Sequence, residues 1–192
     1  MRRFSLIAAL ALSGFLVGGP SPAADQRVPT TETSIGIFYV PGAPDVIDLL
    51  RAGDRGQRLH LQGRVLTPDG APVGGALVEL WHADASGGVD ETRYRSTQRT
   101  TSNGTFGIKT VLPGHIEMAR DNVVFAPRHI HVVVSHPAHE RLISLIFFKG
   151  DERLVGSPYP ELAIVLERAG GEDGELLFGG VELVLRPAGA SR

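Results

Sequence analysis

Short runs of alternating apolar and polar residues, each closed by a turn-forming cluster, limit this chain to a β-rich fold. Arg58 to Leu66 alternates cleanly and ends at Pro68-Asp69-Gly70, and Ala76 to Trp81 answers it as a second strand. Ser102-Asn103-Gly104 turns the chain into Thr105 to Val111. Asn122 to Val134, Leu142 to Phe148, Leu162 to Leu166 and Leu176 to Leu185 continue the series. With 24 glycines and 13 prolines, no segment beyond the N-terminus sustains a helical period, apart from one short helix expected at Asp45 to Arg51. The expectation is an all-β protein, an antiparallel β-sandwich of about eight strands, with a hairpin tip at Gly170 to Gly174. There is no internal repeat, low-complexity tract or interdomain linker.

Residues 1–24 read as a secretory signal: Arg2 and Arg3, the apolar stretch Leu6 to Val17, then small residues up to Ala24. The apolar stretch is shorter than the roughly 18 residues of a membrane span. Export to the periplasm or medium is therefore expected, with no membrane association after cleavage. Residues 25–56 read as an N-terminal arm and 57–188 as one β-sandwich domain. Without Arg2 and Arg3 the chain holds 17 basic and 21 acidic residues, a net charge of -4 against -2 for the whole. That balance argues against nucleic acid or an anionic membrane as partner. The cysteine count is 0, so packing, with or without a bound metal, must hold the fold.

His129-Ile130-His131 carries the strongest chemical signal. Side chains two apart on a strand share a face, so these imidazoles are placed to share one metal ion. The β-branched Val132-Val133-Val134 favours the strand this requires. His136 and His139 have the spacing of a second pair, but a polar loop after the strand explains them more simply. His82 is expected to hydrogen-bond within the core, and His60 to lie on a solvent face. Trp81, Phe106, Phe147 and Phe148 are expected in the core. No Ser-His-Asp context, phosphate loop or catalytic cysteine is present.

The order and spacing of several segments resemble the intradiol ring-cleavage dioxygenases, the family of catechol 1,2- and protocatechuate 3,4-dioxygenases. They are Phe38 to Pro44, Gly63-Arg64-Val65, Gly70 to Ala76, Val78 to Gly87, Asn103 to Phe106, Pro113-Gly114, His129-Ile130-His131 and Phe147 to Asp151, spread over about residues 35–187. The resemblance implies a β-sandwich around a mononuclear non-haem Fe(III), with a small catechol-type aromatic and dioxygen as substrates. It assigns His129 and His131 as two metal ligands. The family's two tyrosine ligands fall on Val89 and Ile116, an active-site arginine on Ala126 and a glutamine on Leu145.

Phenolates are hard anionic donors that favour ferric iron, and imidazoles with water would suit Zn, Cu or Fe(II) instead. His115, beside Ile116, is a candidate third ligand, and Tyr94, five residues after Val89, another that would need its loop rearranged. Three functions stay open: an exported intradiol-type dioxygenase, a Cu- or Zn-binding protein on the same scaffold, and a catalytically inactive β-sandwich binding module.

Overall fold

The computed structural model describes residues 26–36, 38–119, 124–171 and 174–189. The expected signal segment, Asn122 at the head of one expected strand and the tip residues Glu172 and Asp173 lie outside the described residues. Among the described residues no helix is long and apolar enough to cross a membrane.

Among the described residues eleven strands follow in order: β1 (Arg58–Leu66), β2 (Leu77–His82), β3 (Arg95–Arg99), β4 (Thr105–Val111), β5 (Ile116–Ala119), β6 (Val124–Ala126), β7 (His129–Ser135), β8 (Leu142–Phe148), β9 (Ala163–Ile164), β10 (Leu166–Gly171) and β11 (Gly174–Val184). They form a four-stranded sheet in the order β10-β11-β1-β4, a five-stranded sheet in the order β3-β2-β7-β8-β9, and a β5-β6 ribbon. The expected β-sandwich is present, but neither large sheet is purely antiparallel. β1 runs parallel to β11, and β8 parallel to β9.

Alternation along the strands builds the core. Leu59, Leu61 and Val65 of β1, Phe106 and Ile108 of β4, and Leu177 and Leu183 of β11 face Val78 and Leu80 of β2, Ile130, Val132 and Val134 of β7, and Ile146 and Phe148 of β8. Every second residue of the five-stranded sheet then points outward, which places His129 and His131 on its outer face beside Trp81 and Phe147.

The arm covers that face. Thr33 N–H donates to the Ile143 carbonyl at the open edge of β8, and Ser144 Oγ donates to the Thr31 carbonyl. The chain crosses to β3, where the Pro44 carbonyl accepts from Thr97 N–H. It then runs along the edge of β4, with Leu49 N–H donating to Lys109 and Lys109 N–H to Ile47. This last contact replaces the short helix expected at Asp45 to Arg51. Asp48 forms a parallel bridge with Lys109, so sheet-edge pairing overrides the weak local helical preference.

Candidate metal centre

β7 and its lead-in fix the imidazole pair. His129 Nδ1 lies 2.6 Å from the Pro127 carbonyl, which can only accept, so Nδ1 carries the proton and Nε2 keeps its lone pair. That Nε2 is 3.2 Å from Nε2 of His131. Two nitrogens bound to one ion at roughly 2.0–2.1 Å would stand about 2.9–3.4 Å apart, so the pair has the separation of a shared ion.

Burial keeps both rings neutral. It pushes the His131 pKa down to about 3, with the nearby charges of His129, Arg95 and His82 adding to the effect. Burial likewise lowers that of His129, partly offset by the hydrogen bond to Pro127. His131 Nδ1 is buried without a hydrogen-bond partner. Without a metal, the pair leaves either a buried unbonded acceptor at Nδ1 or two lone pairs facing each other, and a cation between the Nε2 atoms removes the second conflict.

The surroundings lock His131 in place. The Trp81 ring lies flat against it, centroids 4.7 Å apart and planes 1° from parallel. Gly36 of the arm takes φ +77°, and a Cβ there would come within 2.8 Å of His131 Cε1. Tyr39 packs on Trp81 with ring centroids 5.1 Å apart and donates to Glu79 at 3.0 Å. Arg95, buried, donates to the Phe38 carbonyl at 2.8 Å and so pins the arm from below. Phe147 closes the side beside His129, 6.0 Å between centroids.

The other candidate ligands stand elsewhere. His115 Nε2 meets Asp151 Oδ1 at 2.8 Å, and Asp151 also accepts from Arg128 N–H at 2.7 Å and Arg153 N–H at 2.9 Å. Burial pushes the Asp151 pKa up, but these hydrogen bonds outweigh it and hold the carboxylate below its usual range. Asp151 thus ties the His115 loop to the residue preceding His129, a role visible in sequence only as the end of the Lys149-Gly150-Asp151 segment.

Tyr94 is buried in the sandwich interior at φ +52°, its ring 5.1 Å from that of His82. It therefore lies on the opposite face of β2 from Trp81 and His131. Among the described residues no group of three or more His, Cys, Asp or Glu converges as a metal cage. The segments bearing Val89 and Ile116 do meet: Gly114 N–H donates to the Asp84 carbonyl, and Gly87 leaves no room for a Cβ beside the His115 carbonyl.

His82 makes the expected core bonds, with Nδ1 donating to Ala83 at 2.7 Å and Nε2 accepting from Thr110 at 2.8 Å. His136 and His139 sit with Nδ1 atoms 3.0 Å apart, but His136 Nδ1 also accepts Ala138 N–H, the arrangement of a bonded turn.

Fold and site together define a two-sheet β-sandwich with a largely enclosed imidazole pair on one outer face, His131 buried and His129 half-buried, beneath a wrapped arm. A model of the dioxygenase family matches residues 36–163. The 6-chlorohydroxyquinol 1,2-dioxygenase of Cupriavidus pinatubonensis is 30% identical over 159 residues, 69% of this chain and 56% of that protein. The 3-chlorocatechol 1,2-dioxygenase of Rhodococcus opacus 1CP superposes with a TM-score of 0.76 at 23% identity, covering 86% of this chain and 76% of that one. The dioxygenase domain of a dioxygenase carbohydrate-binding protein fusion from Streptomyces sp. SirexAA-E superposes at 0.69 with 27% identity, covering 84% of this chain and 100% of that domain. The chain belongs to the intradiol ring-cleavage dioxygenase family. It spans about half the length of the curated relatives it matches.

Proposed function

We propose that this chain is an exported, iron-dependent oxygenase of catechol-type aromatics, with His129 and His131 holding the metal. The observation that carries the reading is the convergence of two neutral imidazole nitrogens at 3.2 Å, His131 buried and His129 half-buried, on the strand where the family places its histidine ligands. The relatives' names as catechol and hydroxyquinol dioxygenases support the substrate class and the use of dioxygen. Bound non-haem iron would supply the means of bringing an aromatic diol and dioxygen to reaction. The chain's own part is to fix the ligand pair through Pro127 and Trp81, to crowd His131 with Gly36 of the arm, and to present an apolar wall at Phe147. Water or substrate oxygens would have to complete the donor set, since His115 and Tyr94 do not reach it.

The test is oxygen uptake by iron-reconstituted protein with catechol and hydroxyquinol, alongside elemental analysis of protein purified from its native compartment. Stoichiometric iron and ring-cleavage product are expected. Iron-free protein that stays inert after reconstitution refutes the reading.

A second reading, a Zn or Cu site, draws on the all-imidazole donor pair and the distance of Tyr94 from it. Stoichiometric Zn or Cu in the same analysis, lost in His129→Ala, would select it.

A further inference from the structure

The outer face of the four-stranded sheet, together with the neighbouring β3 edge and the arm at Asp45 and Ile47, borders a concavity of about 1230 Å³, whose sheet face lies on the opposite side of the sandwich from His129 and His131. Strand register explains its shape. Gln62 of β1 pairs with Gly180 of β11 on one side and Gly107 of β4 on the other, and Val165 lies at the β10 end of the same row. Two glycines in one row lower the floor into a trough running across the strands. Three interstrand spacings make it about 14 Å long.

The neighbouring rows form unlike walls. One holds Phe178 beside His60, their rings edge to face at 5.4 Å, with Lys109 beyond; the other holds Glu182, Arg64 and Thr105. Ile47, Val165 and Phe178 are large apolar side chains 57%, 59% and 40% exposed, and all three line this concavity. An apolar residue left open to water inside a concave surface is the pattern of a ligand platform rather than of scattered surface.

The chemistry of the walls selects the ligand. The lining charges balance, with Arg64, Arg99 and Lys109 against Asp45, Glu167 and Glu182, so the trough offers no net field to a nucleic acid, an acidic peptide or an anionic lipid. An aromatic ring edged by amide, guanidinium, carboxylate and hydroxyl groups suits a neutral molecule with apolar C–H faces and a periphery of hydroxyls. The floor is the face of a sheet, not a free edge, so an extended peptide finds no row of unpaired backbone groups to bond. We infer that this trough binds a neutral polysaccharide chain, at a site separate from the imidazole pair.

Gly180 makes the inference testable without dismantling the sheet. A Cβ there meets no atom within 4 Å and its φ is ordinary, so Gly180→Phe should fold and fill the trough. Isothermal titration of the full chain with cellohexaose, xylohexaose and mannohexaose should give saturable binding of at least one. Phe178→Ala should weaken it about tenfold, and Gly180→Phe should abolish it with an unchanged melting profile. His129→Ala should bind as wild type. Gln62→Ala gives a second probe of the floor, with weakening expected. Three results overturn the inference: no binding of any hexasaccharide, undiminished binding by both Phe178→Ala and Gln62→Ala, or self-association in sedimentation that Gly180→Phe removes, which would make the face a subunit contact.

Discussion

Acid should destabilise this protein through His82, and the size of the effect follows from its surroundings. The ring is wholly enclosed, and burial holds its pKa at about 4 against an ordinary 6.5, the bond to Ala83 being too weak an offset. The folded state therefore resists a proton that the unfolded chain accepts. The contribution of His82 is fully present above pH 6.5 and is lost as the pH falls towards 4, below which it changes no further. A gap of roughly 2.5 pH units corresponds to about 3 kcal/mol, arriving at about 1.4 kcal/mol per pH unit. Urea unfolding of chelator-treated protein at half-unit steps from pH 7.5 to 4 measures the slope directly. His82→Gln keeps an acceptor for Thr110 and removes the titration, so its slope between pH 6 and 5 should be shallower by about 1.4 kcal/mol per pH unit. Parallel curves for wild type and variant would show that His82 is solvated or already charged in the fold, and the argument would fail.

Other perturbations probe the site and its frame. Gly36→Ala forces a Cβ against His131 at a positive φ, so metal affinity measured by competition with a chromophoric chelator should fall about tenfold; unchanged affinity would mean the arm does not press on the ring. Asp151→Asn weakens the acceptor that binds His115 and the Arg128 amide, and should cost about 2 kcal/mol in urea unfolding while lowering metal affinity. Wild-type stability in that variant would remove Asp151 from the scaffold of the site. Gly63→Ala places a Cβ into the Phe106 ring across the β1–β4 pair and should destabilise by about 1–3 kcal/mol by thermal melting.

Strands with clean alternation were legible to the residue, as at Arg58–Leu66 and Thr105–Val111, and so was the apolar run Leu142–Phe148 between its polar flanks. Strands interrupted within an apolar run, or lacking apolar residues altogether, were not. The expected strand from Asn122 to Val134 divides at Pro127-Arg128, and Arg95–Arg99 carries charge at both ends with no apolar residue to mark it. Its buried face is Ser96 and Gln98, satisfied by the Val46 carbonyl and the backbone of Gly107, a pattern that local hydrophobicity does not report. The parallel pairings were hidden for a different reason: nothing in a strand's own residues distinguishes a parallel neighbour from an antiparallel one. At the site, the His-x-His spacing gave the pair and its face. Trp81 is buried as expected, but that it is buried against an imidazole on the outer face was not legible, because stacking on an imidazole and packing in an interior look alike in sequence, and the approach of Gly36 depends on a chain crossing that no local pattern encodes.

The position of β11 bears on when the fold can form. β11, the last strand among the described residues, lies inside its sheet, hydrogen-bonded on one side to β10 and on the other, in parallel, to β1. Until Gly174–Val184 has left the ribosome, one side of β1 is an open edge and half of the sandwich floor is missing. Folding of this sheet must therefore wait for residue 184 and then close a loop of more than a hundred residues, the slow, non-local kind of contact. Chains stalled or clipped before residue 174 lose an interior strand rather than a tail, and would be recognised by proteases as unfinished instead of persisting as shortened forms.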